Sequence, residues 1–299
     1  MKRILAVIAL AIMVLTNAGA EEKSLKYTFD EVKSISVNNA FEVYVTKGTS
    51  KVVEVTYNTD NKDFEEYLDV RYLSHESKLH LGLKYRSPRE RVFGRSLNNV
   101  KVKVYIQMSE LRKINVTGAS AIHFEGAFSA SDLDVDLSGA SKLYGLDVKG
   151  NSSLSLECSG ASKAVVSAEF DVVRINATGA SNVSFSGKAQ LMNADFSGAS
   201  KGSYDGEFDK CDIECSGASN IEMQGKCRTL SLEGSGACKI DAKDFSVKVV
   251  DVELSGASNM KIQVSDELKY DVSSACKLTY IGDPKLTNVS ESNNVIKGN

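Results

Sequence analysis

Between residues 195 and 240 the chain reads DFSGASKGSYDGEFDKCDIECSGASNIEMQGKCRTLSLEGSGACKI. Near-copies of Ser-Gly-Ala-Ser open here at Ser197, Ser216 and Ser235, each 19 residues after the last. Followed outward, the tetrad begins at Thr117, Ser138, Ser159, Thr178, Ser197, Ser216, Ser235, Ser255 and Ser273, with spacings of 18 to 21 residues. The last copy degenerates to Ser-Ser-Ala-Cys. A period near 20 is too short for a pair of helices and fits one β coil or a leucine-rich repeat. The asparagine signature of leucine-rich repeats is missing, which leaves the coil.

Alignment on the tetrad exposes a strand before it. A polar column (Asn115, Asp136, Glu157, Asn176, Asp195, Glu214, Glu233, Glu253, Asp271) is flanked by columns that are mainly apolar, such as Ile114, Val135, Leu156, Ile175, Ala194, Ile213, Leu232 and Val252. That is a period of two, with one face in and one face out. A second strand follows, with Ile122 and Phe124, Val183 and Phe185, Ile221 and Met223 inward. The predicted coil is strand, tight corner, strand, looser return. The corner requires glycine, at Gly118, Gly139, Gly160, Gly179, Gly198, Gly217, Gly236 and Gly256, because its backbone angle is costly for other residues. The neighbouring alanine is expected to let the corner pack closely, and the Ser and Thr hydroxyls to stack coil on coil.

The fold class is therefore all-β, a single-chain parallel β-helix of about nine regular coils with an irregular N-terminal β cap. Residues 21–113 lack the tetrad but alternate well, as in Phe41-Glu42-Val43-Tyr44-Val45, and are assigned to the cap and opening coils. Residues 63–68 are expected to make a helical turn. Residues 114–282 form the regular helix and 283–299 a tail. The absence of proline between Pro88 and Pro284 suits long β ladders.

Residues 1–20 read as a signal peptide. Lys2 and Arg3 are the basic start, residues 4–15 the apolar run, and Ala18-Gly19-Ala20 a small-residue cleavage site. Cleavage after Ala20 implies an exported protein that is periplasmic, outer-surface or secreted. No cysteine near the junction suggests a lipid anchor, and no other apolar run is long enough for a membrane helix. A net charge of −3 excludes a dominant nucleic-acid footprint. The basic stretch at residues 84–95, with Arg86, Arg89, Arg91 and Arg95, reads as a solvated loop or a contact for an acidic partner.

Six cysteines in an exported chain raise the question of disulfides. Cys158 and Cys215 share an inward column but stand three coils, ~14 Å, apart, beyond the ~7 Å Cα limit of a disulfide. Cys238 and Cys276 share a corner column at ~10 Å. Cys211 and Cys215 lie on one extended strand. The thiols are therefore expected to be mostly free and buried, with Cys227 left to meet another across the core.

The repeated Ser-Gly-Ala-Ser units, preceded by Phe41-Glu42-Val43-Tyr44-Val45 and Leu79-His80-Leu81, resemble the head GIN domain family. The likeness spans residues 35–282. Members of that family are described as auto-transporter adhesins of Gram-negative bacteria. The resemblance implies an exported β-helical protein with no catalytic residues to carry over. The repeats run almost to the end, so the chain is not expected to supply its own translocator barrel.

The residues suggest no catalytic centre. His75, His80 and His123 have no Ser or Cys partner in sequence context, no phosphate loop is present, and no Cys or His spacing resembles a zinc site. The outward acidic positions are the one concentration of charge. Asp212, Glu214, Glu233, Asp251 and Glu253 are the candidate cation ligands, and oxygen-only donors suit calcium. Salt and the lysines across the corner are the alternative source of relief. No cofactor is otherwise implied. The expected function is a non-enzymatic, adhesin-like binding protein of the bacterial cell envelope, with a glycan or envelope protein as partner and self-association as a further option. A structural envelope component and a polysaccharide-processing enzyme are the alternatives.

Overall fold

The computed structural model of the chain describes residues 22–61, 63–84, 100–273, 275–288 and 294–298. The leader, its cleavage point after Ala20, and Arg86, Arg89, Arg91 and Arg95 lie outside the described residues. The chain is a parallel β-solenoid of about nine turns. It divides into two compact units, residues 1–147 and 148–299.

The first unit holds β1 (Glu22–Thr28), β2 (Ser34–Val37), β3 (Phe41–Lys47), β4 (Val52–Asn58), β5 (Leu68–Leu73), β6 (Lys78–Leu83), β7 (Lys101–Met108), β8 (Lys113–Val116), β9 (Ala121–Glu125) and β10 (Ala127–Leu137). A short 3-10 turn, Phe64–Tyr67, falls where a helical turn is expected. Strands β2 and β8, β3 and β9, and β8 and β10 pair in parallel, as coils do. Strands β1 with β4, β4 with β7, and β5 with β6 are antiparallel additions.

The second unit is regular. Strand β11 (Lys142–Cys158) ends in it, followed by β12 (Lys163–Ala177), β13 (Asn182–Phe196), β14 (Lys201–Cys215), β15 (Asn220–Gly234), β16 (Lys239–Leu254), β17 (Asn259–Val272), β18 (Lys277–Ile281), β19 (Lys285–Asn288) and β20 (Val295–Lys297). From β12 to β17 each strand pairs in parallel with the next, and equivalent positions of the repeat fall in register, apart from register shifts in the returns between β15 and β16 and between β16 and β17. Ile175, Ala194, Ile213, Leu232 and Val252 stack inward and are buried. The looser return expected from the sequence is replaced by continuous β structure. Strands of 14 to 16 residues run from one corner to the next, bending at Gly187, Gly206 and Gly225, which stack on one another. Backbone pairing therefore continues through the return, which keeps its N–H and C=O groups satisfied.

All eight corner glycines have φ between +70° and +84°. At Gly198 an added Cβ would also stand 2.7 Å from the carbonyl oxygen of Gly179 in the coil before. That carbonyl is occupied: Ala199 N–H donates to it at 2.7 Å, and Ala218 N–H donates to Gly198 in the same way. The alanine methyl groups of Ala199 and Ala218 are exposed, so their contribution to the corner is the N–H rather than the small side chain. The fourth residue turns inward instead. Ser162, Ser181, Ser200, Ser219 and Ser258 are buried. Ser219 Oγ donates to the Ser216 carbonyl at 2.8 Å and lies 3.2 Å from Ser200 Oγ. Cys238 takes the same slot, its Sγ donating to the Ser235 carbonyl at 3.1 Å.

This geometry uncovers a coil that the tetrad search misses. Asn39 has φ +77°, and its carbonyl accepts from Ala119 N–H at 2.6 Å. It holds the glycine position of the opening corner, because asparagine is among the few residues that tolerate a left-handed backbone. Phe41 N–H donates to Ser120 Oγ at 3.2 Å, and Thr117 Oγ1 donates to Asn38 Oδ1 at 2.8 Å.

Two stability outcomes follow. Gly198→Ala is expected to lower unfolding free energy by about 2 kcal/mol or more, from left-handed strain and the displaced Gly179 carbonyl, whereas Ala199→Gly should cost well under that. Urea midpoints read both, and equal midpoints would contradict this account of the corner. Tyr204 presents a buried hydroxyl without a hydrogen-bond partner. Tyr204→Phe is therefore expected to be neutral or stabilising by about 1 kcal/mol; a clear drop in melting temperature would show that the hydroxyl has a partner.

Candidate functional site

The structure places the sequence-selected carboxylates on the outer face of the strand segments before the corner, in two columns. Asn176, Asp195, Glu214, Glu233, Glu253 and Asp271 are successive partners in one, and Arg174, Asn193, Asp212, Ser231, Asp251 and Lys269 in the other. Glu214, Glu233 and Glu253 are thus neighbours, while Asp212 and Asp251 are separated by Ser231. A shallow depression of about 650 Å³ runs over this face, lined by Arg174, Asn176, Asp195, Asp212, Glu214 and Glu233 among others.

Asp212 and Asp251 already have cationic partners. Lys210 Nζ reaches Asp212 at 2.8 Å and Lys269 Nζ reaches Asp251 at 2.7 Å. The hydrogen bond to Asp251 holds the Lys269 ammonium above its ordinary pKa. Relief for these two carboxylates comes from lysines on the same face; among the described residues, Lys201, Lys239 and Lys277 across the corner make no ion pair with either of them. Glu214, Glu233 and Glu253 have no ion pair among the described residues. No group of three or more His, Cys, Asp or Glu side chains among the described residues is arranged to hold a metal ion.

The larger concavity lies elsewhere in the second unit, on the return. Past the bend glycines an outward column carries Lys188, Glu207 and Lys226, and the next, inward column carries Ala189, Phe208 and Cys227; Gln190, Asp209 and Arg228, which the pairing skips, follow and are exposed. These residues, with Phe170, Asp171, Lys248 and Ser265, line a groove of about 740 Å³. Its rim alternates in sign: Glu207 bridges to Lys188 at 3.2 Å and to Lys226 at 3.0 Å. Hydrogen bonds from Lys226 and Lys188 hold the Glu207 carboxyl below its usual range. Gln190 Nε2 donates to Asp171 Oδ1 at 3.0 Å. Arg228 and Lys248 are exposed and have no ion pair among the described residues. The signal for this groove was present in the sequence, since Gly-Lys, Gly-Glu and Gly-Lys recur at 187, 206 and 225. Glycine at these positions marks a bend between paired segments rather than a loose turn.

The histidines do not converge on a nucleophile. His75 Nε2 contacts Glu76 at 2.9 Å and His80 Nε2 contacts Asp69 at 3.5 Å. Burial pushes the His80 imidazole below its ordinary pKa, against the pull of Asp69. His123 belongs to a ring ladder in the first unit, Tyr105–Tyr44–His123–Tyr144, with centroids 5.1 to 5.2 Å apart. None of the three lines the groove. No helix among the described residues is long and apolar enough to cross a membrane.

Residues 29–207 and 202–284 match the model of a family described as "Putative auto-transporter adhesin, head GIN domain". The chain belongs to this family. No curated protein matches it. A crystal structure of a putative adhesin from Parabacteroides distasonis ATCC 8503 is 13% identical, with 93% of this chain and 97% of that one aligned and a TM-score of 0.47. One from Parabacteroides merdae ATCC 43184 is 14% identical, with 93% and 96% aligned and a TM-score of 0.41. A putative lipid binding protein from Parabacteroides distasonis ATCC 8503 is 13% identical, with 93% and 97% aligned and a TM-score of 0.40.

Glu233 stands between two unpaired carboxylates, each costing about 1 kcal/mol or less at coil spacing in water. Glu233→Gln is expected to raise the melting temperature at low ionic strength, with the gain fading in salt as screening takes over. Melting curves at two sodium chloride concentrations, with and without chelator, check this. Destabilisation by the substitution, reproduced by chelator in the unsubstituted protein, would instead mark the ladder as a filled calcium site.

Proposed function

We propose that this member of the head GIN domain family is an exported, adhesin-like binding protein of the cell envelope that holds an extended acidic glycan along the groove of its second unit. The observation that carries the reading is the groove itself. It crosses successive coils from Lys149 to Ser265, an open run rather than a closed pocket. At ~4.8 Å per coil its length is on the order of 25–30 Å, which suits a chain molecule. Hydrogen-bonding side chains at the rim and apolar side chains at the floor are the usual makeup of a ligand site.

The acidic preference comes from Arg228 and Lys248. Every other rim cation that could bind an anion is engaged: Lys188 and Lys226 with Glu207, and Lys149 with Glu169 at 2.9 Å. A guanidinium and an ammonium left open in the same groove favour carboxylate or sulfate substituents. Of the carboxylates in the lining, Glu169 and Glu207 are held by lysines and Asp171 accepts from Gln190 Nε2.

A glycan array carrying acidic and neutral polysaccharides tests the proposal. Binding to acidic chains is expected, and Arg228→Glu with Lys248→Glu should weaken it by roughly tenfold or more, ~1.4 kcal/mol, with an unchanged melting temperature because both side chains are exposed. Binding that ignores the double variant would move the site elsewhere. Capture of neutral chains alone would remove the acidic specificity, and release of shortened or unsaturated products would make the protein an enzyme.

A further inference from the structure

All six thiols are free and buried, yet they are not equivalent. Of the six, Cys227 alone lines the groove. Its Sγ lies 3.6 Å from Cys211 Sγ on the neighbouring coil. Cys227 is the register partner of Phe208, and the pairing then skips Asp209, so the chain turns there and brings Cys211 against the next coil's Cys227. Cys227 thus meets another thiol, as expected, its partner Cys211 coming from a different column of the neighbouring coil.

We propose that Cys227 and Cys211 form a redox-active dithiol, a modification site at the groove floor that reacts with low-molecular-weight disulfides and closes into an intramolecular disulfide. The inference is independent of what the groove binds. Cys227 loses its proton to water in the groove, and its thiolate attacks one sulfur of the small disulfide. That S–S bond breaks, one small thiolate leaves and takes up a proton, and a mixed disulfide remains on Cys227. Cys211 then gives up its proton and attacks the Cys227 sulfur, expelling the second small thiol. Two protein thiols are oxidised, one small disulfide is reduced to two thiols, and the protein loses two hydrogens.

The order of attack follows from access and hydrogen bonding. Cys227 is 4% exposed and Cys211 0%. The Cys211 thiol and nearby backbone groups hold the Cys227 thiol below its ordinary pKa, while the same contact, and then burial, push Cys211 up. A disulfide needs the sulfurs near 2.05 Å, roughly 1.5 Å closer than they stand. Cys215 and Cys238 are also hydrogen-bonded through their side chains, but neither lines the groove. Cys158 is also buried, and burial pushes its thiol up to about 12.

The test treats the folded full chain with glutathione disulfide, quenches with acid, alkylates in denaturant and maps the peptides. The expected result is a Cys211–Cys227 disulfide formed ahead of every other pairing, with Cys158 and Cys276 alkylated. Cys211→Ser should trap a glutathione adduct on Cys227, whereas Cys227→Ser should leave Cys211 unmodified. A raised melting temperature of the oxidised protein, reversed by reductant, completes the pattern. Six alkylated cysteines after treatment would overturn the proposal, as would Cys215–Cys238 closing first or no adduct in Cys211→Ser. Should either variant fail to fold, the map of the unsubstituted protein decides alone.

Discussion

One hydrogen bond, from the alanine N–H of each corner to the glycine carbonyl of the corner before, sets the geometry of the rest. It recurs from Ala199 to Gly179, from Ala218 to Gly198 and from Ala237 to Gly217, each at 2.7 Å. For that carbonyl to face the next coil, the residue that bears it must be left-handed, and a Cβ there would press on the carbonyl beneath. Glycine satisfies both conditions. With each corner locked to its neighbour, the coils cannot slip, because a slip of one residue would turn every inward side chain out. The buried serine next to the corner depends on the same turn. Its hydroxyl reaches the carbonyl three residues back only because the chain has doubled over, and that bond removes the penalty of burying a polar group.

Once the corners fix the register, inward and outward columns obey different rules. Inward positions must fill space, so Cys215 can stand beside Phe196 and Gly234 in one column as long as neighbours compensate. Gly234 shows the compensation: the space where its Cβ would go is taken by Leu254 from the next coil. Outward positions face water and are constrained chiefly by their neighbours one coil away. The return column Lys188, Glu207, Lys226 alternates in sign and closes its own ion pairs. The column Glu214, Glu233, Glu253 repeats one sign and closes none among the described residues.

The corner, the alternation and the coil period were legible because each depends on local chemistry repeated in sequence. Gly198 and Ser200 look the same in every copy because the same backbone turn is needed each time. Asn39 was not legible, since the opening corner meets the left-handed requirement with a different residue and has no tetrad around it. The continuous β structure of the return was misread because Gly187, Gly206 and Gly225 signal a turn in isolation, whereas in a stack they mark a bend between paired segments. The groove and the Cys211–Cys227 contact share that cause. Both arise beyond the bend, at the turn that follows Phe208 and Cys227, and the angle of that turn is not written in the residue types that make it.

The unequal treatment of the two outward columns bears on where function can reside. A stack of parallel coils repeats every outward choice at about 4.8 Å, so a like-charged column has a standing electrostatic cost that grows with length. Strands gain nothing in packing from it, since Glu214, Glu233 and Glu253 are exposed and touch no core. The fold would be served as well by the serines and asparagines found at Asn176, Asn193 and Ser231. Alternating charge on the return has no such cost, and it leaves Arg228 and Lys248 as the groove's unpaired cations. The acidic face and the groove therefore differ in character, one repeating a single sign and the other mixing both and leaving Arg228 and Lys248 open. Under the reading proposed above, an anionic chain approaching this unit would be repelled by the strand segments before the corner and admitted at the return, where its charges would replace water around Arg228 and Lys248.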